Sequence, residues 1–455
     1  MIRVNNMQNL LNKITNKTAK VLVVGGGYVG LPLAVRCAEE GFETTVYDVD
    51  MKKVEDINKG ISYIKDVPSD VLSSFIQTQK RVVWAPGKIR AIWTLEDLIP
   101  LGEGIIDPIK PDVILICVPT PLNKRHDPDV SFVVEAVKQL ADNWILDDDQ
   151  LVVLESTVYP GFTREVMLPT IEQHGLSSPF VAFSPERVDP GNEKFNIKNT
   201  PKVVGGIDKN STRLAVAFYL EIIDSVVDVS SAETAEMTKI YENTFRMINI
   251  GLANEMALIC DKLGIDVWEM TGAAATKPFG FMKFVPGPGI GGHCISVDPH
   301  YLSWKLKDLK CSSKFIELAE EINAAMPKRV VMLTTEALNS IKKSVNGSRI
   351  LMVGAAYKPN IGDLRESPAL DIIEILKQKG AEVSYYDPYA PQIKFDDGIM
   401  KSLPGVVGNF DCAIIATNHS CIDYREVLAC SRTVVDSRNA IKKIDNRNNI
   451  PIFRL

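Results

Sequence analysis

Short unbroken apolar runs recur along the chain, and each ends in a polar or glycine-rich turn. Residues 20–24 read Lys-Val-Leu-Val-Val before Gly25, and residues 43–47 close on Asp48. Residues 112–118 and 150–156 run into Pro119-Thr120-Pro121 and Thr157-Val158-Tyr159-Pro160-Gly161, and a further short run gives way at Ser184-Pro185-Glu186-Arg187-Val188-Asp189. Runs of this length without strict alternation fit strands buried on both faces of a parallel sheet. Over 231–263 the pattern turns helical without a proline, well beyond the mean helix of about 11–12 residues. A helix of that length commonly bridges domains or carries a subunit interface. The strand plan then returns: 349–354, a capped amphipathic helix over 367–380, 381–386 closing on Asp387-Pro388, and 411–416, which echoes the run that starts at Asp112.

This pattern predicts an α/β chain of two Rossmann-like, doubly wound parallel-sheet domains joined by a long central helix. The predicted domains are residues 1–225, 226–335 and 336–455. Residues 81–110, with Trp84, Trp93, Pro86, Pro100 and Pro108, fit no regular element.

The first turn carries the clearest chemistry. Gly25-Gly26-Gly27-Tyr28-Val29-Gly30 follows a strand and opens a helix, and Asp48 ends the next strand 18 residues past Gly30. Gly25 permits the tight turn, Gly27 lets a pyrophosphate reach the backbone amides, and Gly30 lets helix and strand pack closely. Tyr28 and Val29 lie inside that turn. A carboxylate at Asp48 would accept from ribose hydroxyls and repel a 2′-phosphate, so NAD is expected in preference to NADP. Thr120 and Thr157, in turns after later strands, are placed to face the same cofactor. Gly354-Ala355-Ala356-Tyr357-Lys358 lacks the glycine pattern, so the second half is expected to hold a different ligand.

Composition narrows the partners. The 455 residues are 45% hydrophobic and 24% charged with a net charge of -6, and no Lys/Arg block occurs. Nucleic acid is therefore not the expected partner. Eight cysteines stand apart with no paired CxxC, which fits reduced thiols in the cytoplasm, and neither an export signal nor a membrane span is expected. The spacing of Cys and His offers no metal site.

One cysteine differs from the rest. Cys294 follows Pro286-Gly287-Pro288-Gly289-Ile290-Gly291-Gly292-His293 and precedes Ile295-Ser296-Val297-Asp298. Most free cysteines are buried small hydrophobes; a thiol on a glycine-rich loop with an acid four residues on is instead presented as a nucleophile. Lys239 and Asn243, four apart on the long helix, share a face.

With these segments in view the chain resembles the UDP-glucose/GDP-mannose dehydrogenase family over nearly its whole length. The likeness rests on residues 25–30, Val118-Pro119-Thr120-Pro121, Ser156-Thr157, Ser184-Pro185-Glu186-Arg187, residues 239–246, residues 287–298, Tyr357-Lys358, Asp363-Leu364-Arg365-Glu366-Ser367-Pro368 and Asp436-Ser437-Arg438. It implies an NAD domain, a central dimerising helix and a C-terminal UDP-binding domain. It implies a four-electron oxidation of a sugar C6 alcohol to the carboxylate with two NAD+ and one water.

In that scheme Cys294 forms a thiohemiacetal and then a thioester. Lys239 stabilises the oxyanion, Asn243 orients it or the water, and Glu186 is the base for thioester hydrolysis with Thr157 placing the water. Asp298 would hold Lys239 and the water network. Arg365 would reach the cofactor or the site rim, and the nucleotide sugar would meet Arg187, Arg246, Gly289, Gly291, Lys358 and Arg438. Pro190, where the UDP-glucose branch has a second glutamate, and the Gly-His-Cys-Ile run resemble the UDP-N-acetylhexosamine branch. Residues 60–64, 189–192 and 301–305 resemble its UDP-N-acetyl-D-glucosamine members. The implied role is surface polysaccharide or glycan synthesis. UDP-N-acetyl-D-mannosamine, UDP-glucose and, more remotely, a two-electron hydroxyacid oxidation remain alternatives.

Overall fold

The computed structural model describes residues 2–76, 88–98, 110–123, 127–176, 179–189, 192, 194–292, 295–446 and 449–455. His293, Cys294, Pro190, Gly191 and much of 81–110 lie outside the described residues. The chain divides into two compact units, Met1–Tyr241 and Glu242–Leu455.

Helix α1 (Ile2–Thr15) opens the first unit, a feature that the Asn- and Lys-rich composition of the segment hides. Met7, Leu10 and Ile14 supply its buried stripe, at the spacing of one helix face. The sheet-forming run then follows: β1 (Lys20–Val24), α2 (Gly30–Glu39), β2 (Glu43–Tyr47), α3 (Met51–Asn58), α4 (Ser69–Phe75), β3 (Ile89–Ile92), β4 (Val113–Ile116), α5 (Ser131–Asp142), β5 (Leu151–Leu154), α6 (Leu168–Glu172), β6 (Phe180–Phe183), β7 (Lys202–Gly206), α7 (Lys209–Ile222) and β8 (Val226–Asp228). Strand β3 falls inside the segment that fitted no element. The sheet order is β3-β2-β1-β4-β5-β6-β7-β8. Every pairing is parallel except β6 with β7. The central strands β4, β5 and β6 are buried at every position, which is why they read as continuous apolar runs. The order reverses between β1 and β4, so the ligand crevice of this unit lies outside their carboxyl ends.

Helix α8 (Ala232–Leu263) spans 32 residues, about 48 Å. Its first ten residues belong to the first unit and the rest to the second.

The second unit continues with α9 (Val267–Ala274), α10 (Asp298–Asp308) and α11 (Lys314–Ser340). A second α/β layer follows: β9 (Arg349–Val353), α12 (Pro368–Gln378), β10 (Glu382–Tyr386), the hairpin β11 (Gln392–Phe395) and β12 (Gly398–Lys401), β13 (Cys412–Ile415), α13 (Tyr424–Ala429), β14 (Val434–Asp436) and β15 (Ile452–Arg454). Its five-stranded sheet, all parallel, is ordered β10-β9-β13-β14-β15. Alternate residues feed two cores: Ile350, Met352 and Ile414 pack with Ala369, Ile372 and Leu376, whereas Leu351, Val353 and Ile415 pack with Val427 and Leu428. Here the order reverses between β9 and β13, which aims the crevice at the loops that begin with Gly354 and Ala416. No described helix is long and apolar enough to cross a membrane.

Candidate active site

In the first unit the glycine turn is shaped as its sequence requires. Gly25 has φ +100°, and a Cβ there would lie 2.7 Å from the Cys117 carbonyl oxygen at the end of β4. A Cβ on Gly30 would lie 1.8 Å from the Gly25 oxygen, so no side chain fits, whereas Gly27 faces open space. Asp48 is 7% exposed, and its Oδ2 accepts from the Gly26 amide at 2.8 Å with Lys53 Nζ at 3.2 Å. Tyr63 donates its hydroxyl to the Gly26 carbonyl, so the turn is held from both sides. The Ser156 hydroxyl donates to the Val118 carbonyl at 2.7 Å, joining the turns of Thr157 and Thr120. Thr120 is buried, Thr157 and Val29 are partly buried and Tyr28 is exposed. An open Gly27 beside a packed Gly25 and Gly30 suits a pyrophosphate on the amides that open α2.

The same unit carries a charged centre below the 184–188 turn. Lys239 is 9% exposed and donates to the Glu186 carbonyl at 2.7 Å. The Glu186 carboxylate accepts from the Arg187 and Val188 amides, both at 2.7 Å, through Oε1, and its Oε2 lies 3.3 Å from Lys202 Nζ. Burial alone would raise the Glu186 pKa; Lys202, the two amides and Lys239 together bring it below its ordinary value. The group is therefore an ionised acceptor.

One turn of α8 earlier, Glu236 is fully buried and accepts from the Gly161 amide at 2.6 Å and the Thr163 amide at 2.9 Å. The start of α8 thus clamps both the Thr157 turn and the Glu186 turn. Arg187 donates to the Pro201 carbonyl at 2.7 Å.

In the second unit the glycine-rich loop is defined up to Gly292. Gly287 donates its amide to Asn254 Oδ1 at 2.9 Å, and Asn254 Nδ2 donates to Asn323 Oδ1 at 2.8 Å. A Cβ on Gly291 would lie 2.6 Å from both the Glu366 carbonyl oxygen and Tyr357 Cβ. Gly289 has φ +139° and a Cβ there would touch Pro368. Gly292 donates to the Arg365 carbonyl at 3.0 Å. These glycines are required because the loop is threaded against Tyr357 and residues 363–368, which makes one packed unit of three separate sequence segments.

Asn243 and Asp298 are both buried, and the Asn243 amide donates to the Asp298 carboxylate. Arg365 is exposed and makes a two-pronged contact with Asp363 at 3.0 and 2.6 Å. Arg246 is exposed and Lys358 partly buried. Arg438 donates through Nε to the Ala416 carbonyl at 2.9 Å, and burial lowers its pKa to about 10. A partly buried guanidinium at the mouth of the β9/β13 crevice suits a diphosphate.

Family models match all three parts of the chain. They are the NAD binding domain of the UDP-glucose/GDP-mannose dehydrogenase family at residues 19–83 and 106–223, its central domain at 233–325 and its UDP binding domain at 351–443. The chain belongs to this family. It is an NAD-dependent UDP-sugar dehydrogenase, as the sequence predicts. A UDP-N-acetyl-D-mannosamine dehydrogenase of Pyrococcus horikoshii is 33% identical over 93% of this chain and 96% of its own length. A UDP-N-acetyl-D-glucosamine 6-dehydrogenase of Pseudomonas aeruginosa is 33% identical over 89% of this chain and 91% of its own. Among solved structures, the UDP-D-ManNAc dehydrogenase of Pyrococcus horikoshii superposes with a TM-score of 0.82 at 32% identity, covering 96% of this chain and 98% of that one.

Several groups in this UDP-sugar dehydrogenase escape a reading by motif. Lys202, Glu155 and Tyr219 sit on separate elements and meet only in the fold. Asn323 does leave a trace, since it interrupts the buried stripe Ile316, Ala319, Met326 and Val330 of α11. A polar residue in an apolar helix register is the signal that finds it.

Proposed function

We propose that this dehydrogenase oxidises the C6 alcohol of UDP-N-acetyl-D-glucosamine to UDP-N-acetyl-D-glucosaminuronate. The overall change removes four electrons as two hydrides and takes the second carboxylate oxygen from water. Bound NAD supplies the hydride acceptor for each oxidation. The residues of the chain do the rest. Lys239 favours the alkoxide and later the thiohemiacetal oxyanion, and Asn243, oriented by Asp298, holds that oxygen or the incoming water. Cys294 adds to the aldehyde and becomes the thioester. Glu186 takes a proton from the water that attacks it, and Thr157 helps to place that water.

Gly25, Gly27, Tyr28, Val29, Gly30, Asp48, Thr120, Thr157 and Arg365 serve the cofactor. Arg187, Arg246, Gly289, Gly291, Lys358 and Arg438 serve the nucleotide sugar. Its working form is a homodimer or higher homo-oligomer.

The observation that carries the reading is the Lys239 contact on Glu186, which sets a buried cation beside a carboxylate kept ionised. The glucosamine epimer is favoured by residues 60–64 and 301–305. A second reading, UDP-N-acetyl-D-mannosamine, is favoured by the names of several relatives of equal identity.

The test is NADH formed per sugar consumed, with UDP-N-acetyl-D-glucosamine, UDP-N-acetyl-D-mannosamine and UDP-glucose offered separately. Two NADH from the first alone supports the proposal. Two from the second alone replaces the epimer, and one NADH with an aldehyde product removes the thioester scheme.

A further inference from the structure

Lys202 is a buried cation that the reaction scheme above does not use. Its side chain is 4% exposed, yet it faces two carboxylates: Glu155 Oε2 at 2.5 Å and Glu186 Oε2 at 3.3 Å. Glu155, at the end of β5, has no exposed side-chain surface, and Tyr219 on α7 donates to its other oxygen. The aromatic ring of Tyr219 also lies under the ammonium, with Nζ 5.4 Å from its centre.

Neutralising Glu155 would explain a lysine here but not the second contact. In Glu186 the Oε1 atom is occupied by two backbone amides, which leaves Oε2 to meet a water. Lys202 lies against that oxygen. The other groups facing this cluster are Lys239 from α8 and the Cys117 thiol after β4, which burial keeps protonated.

We propose that Lys202 is a positioning residue for Glu186: anchored by Glu155, its ammonium aims Oε2 and keeps the carboxylate ionised between turnovers. This rests on the reading of Glu186 as the base of thioester hydrolysis. In that step the water oxygen bonds to the thioester carbon and one water proton passes to Glu186 Oε2. The C–S bond then breaks to release the Cys294 thiolate and the carboxylic acid, so no further reactant is needed. Held in place by Glu155, the Lys202 ammonium keeps an opposite charge beside the base at every stage, which a hydrophobic wall could not do.

The experiment measures kcat against pH for the full chain with NAD+ and UDP-N-acetyl-D-glucosamine. Lys202→Met removes the charge, so the acid limb should move up by about one unit or more. The loss should be about tenfold on the acid side and small on the alkaline side, with the KM for NAD+ unchanged. Lys202→Arg should restore the limb. Glu155→Gln leaves the ammonium and removes its competing anion, so the limb should stay or move down; this variant serves if Lys202→Met does not fold.

An equal loss at every pH, a Lys202→Arg profile matching that of Lys202→Met, or an upward shift with Glu155→Gln would overturn the proposal. Glu186→Gln separates the two readings. If it turns over normally, Glu186 is not the base; if it stalls while the Lys202→Met profile stays unshifted, only the role of Lys202 fails.

Discussion

Asp387 follows β10 as Asp48 follows β2, but its surroundings differ. Its Oδ2 accepts from the Ala355 and Ala356 amides at 2.7 and 2.9 Å and faces His419 Nε2 at 3.0 Å, and its Oδ1 accepts from the Tyr389 and Ala390 amides. Both side chains of the Asp387–His419 pair are fully buried. The carboxylate is thus spent on the backbone of its own loops and on His419. Burial would raise its pKa, but His419 and the two amides bring it below the ordinary 3.8. A depressed carboxyl pKa stabilises the fold at and above the ordinary value, and the contribution is lost as pH falls through the folded value. Asp387→Asn should therefore cost about 3 kcal/mol at neutral pH and flatten the loss of stability below about pH 4. Urea unfolding at pH 7 and under acid conditions checks both. The Asp387-Pro388 turn is legible in the sequence, whereas its partner stands 32 residues further on and meets it only through the β9–β13 pairing. Cys294 presents the converse case: its loop chemistry is plain from the residues alone, and its position lies outside the described residues.

Between elements, the link that matters most for the loop is the amide pair joining α8 to α11. Asn254 is fully buried and Asn323 is 5% exposed, so each amide depends on the other, on Gly287 and on the Met247 carbonyl. Asn254→Ala leaves the Gly287 amide and the Asn323 oxygen without these partners. The expected cost is about 2–3 kcal/mol, with a fall in kcat and little change in NAD+ affinity, because the NAD turn is built by other elements. Thermal melting together with NAD+ titration would show this, and equal weakening of both would contradict it. Elements were legible where one residue class dominated locally. The buried strands announced themselves as apolar runs, and α8 as a long proline-free helix. Helix α1 was hidden because its three buried residues are diluted by Asn and Lys, and β8, β14 and β15 because each has only three residues. The hairpin β11–β12 does leave a trace, the polar–apolar alternation of Gln392–Phe395 before Asp397-Gly398, but each of its strands has only four residues.

At the scale of the whole molecule, both halves follow one rule: a largely parallel sheet whose order reverses once, the place where sheets of this kind open a crevice for a ligand. The rule was readable from the repeat of strand endings, including Asp48 and Asp387. What the repeat does not explain is apolar surface in the second unit. On α8, Phe245, Leu252 and Ile259 stand seven residues apart and are 39%, 52% and 40% exposed, and Leu263 is 65% exposed. A heptad spacing keeps such residues on one side of a helix, and from Phe245 to Leu263 the row runs about 27 Å. A row of that length suits a second copy of the same helix better than water. If the proposed homo-oligomer is built on this row, Leu252→Glu with Ile259→Glu should place carboxylates against one another at its centre. Sedimentation should then shift toward the monomer as protein is diluted, while the unaltered chain stays assembled over the same range. Retention of the assembly by the double variant would move the interface to another surface of the protein, and a monomeric unaltered chain would remove the oligomer altogether.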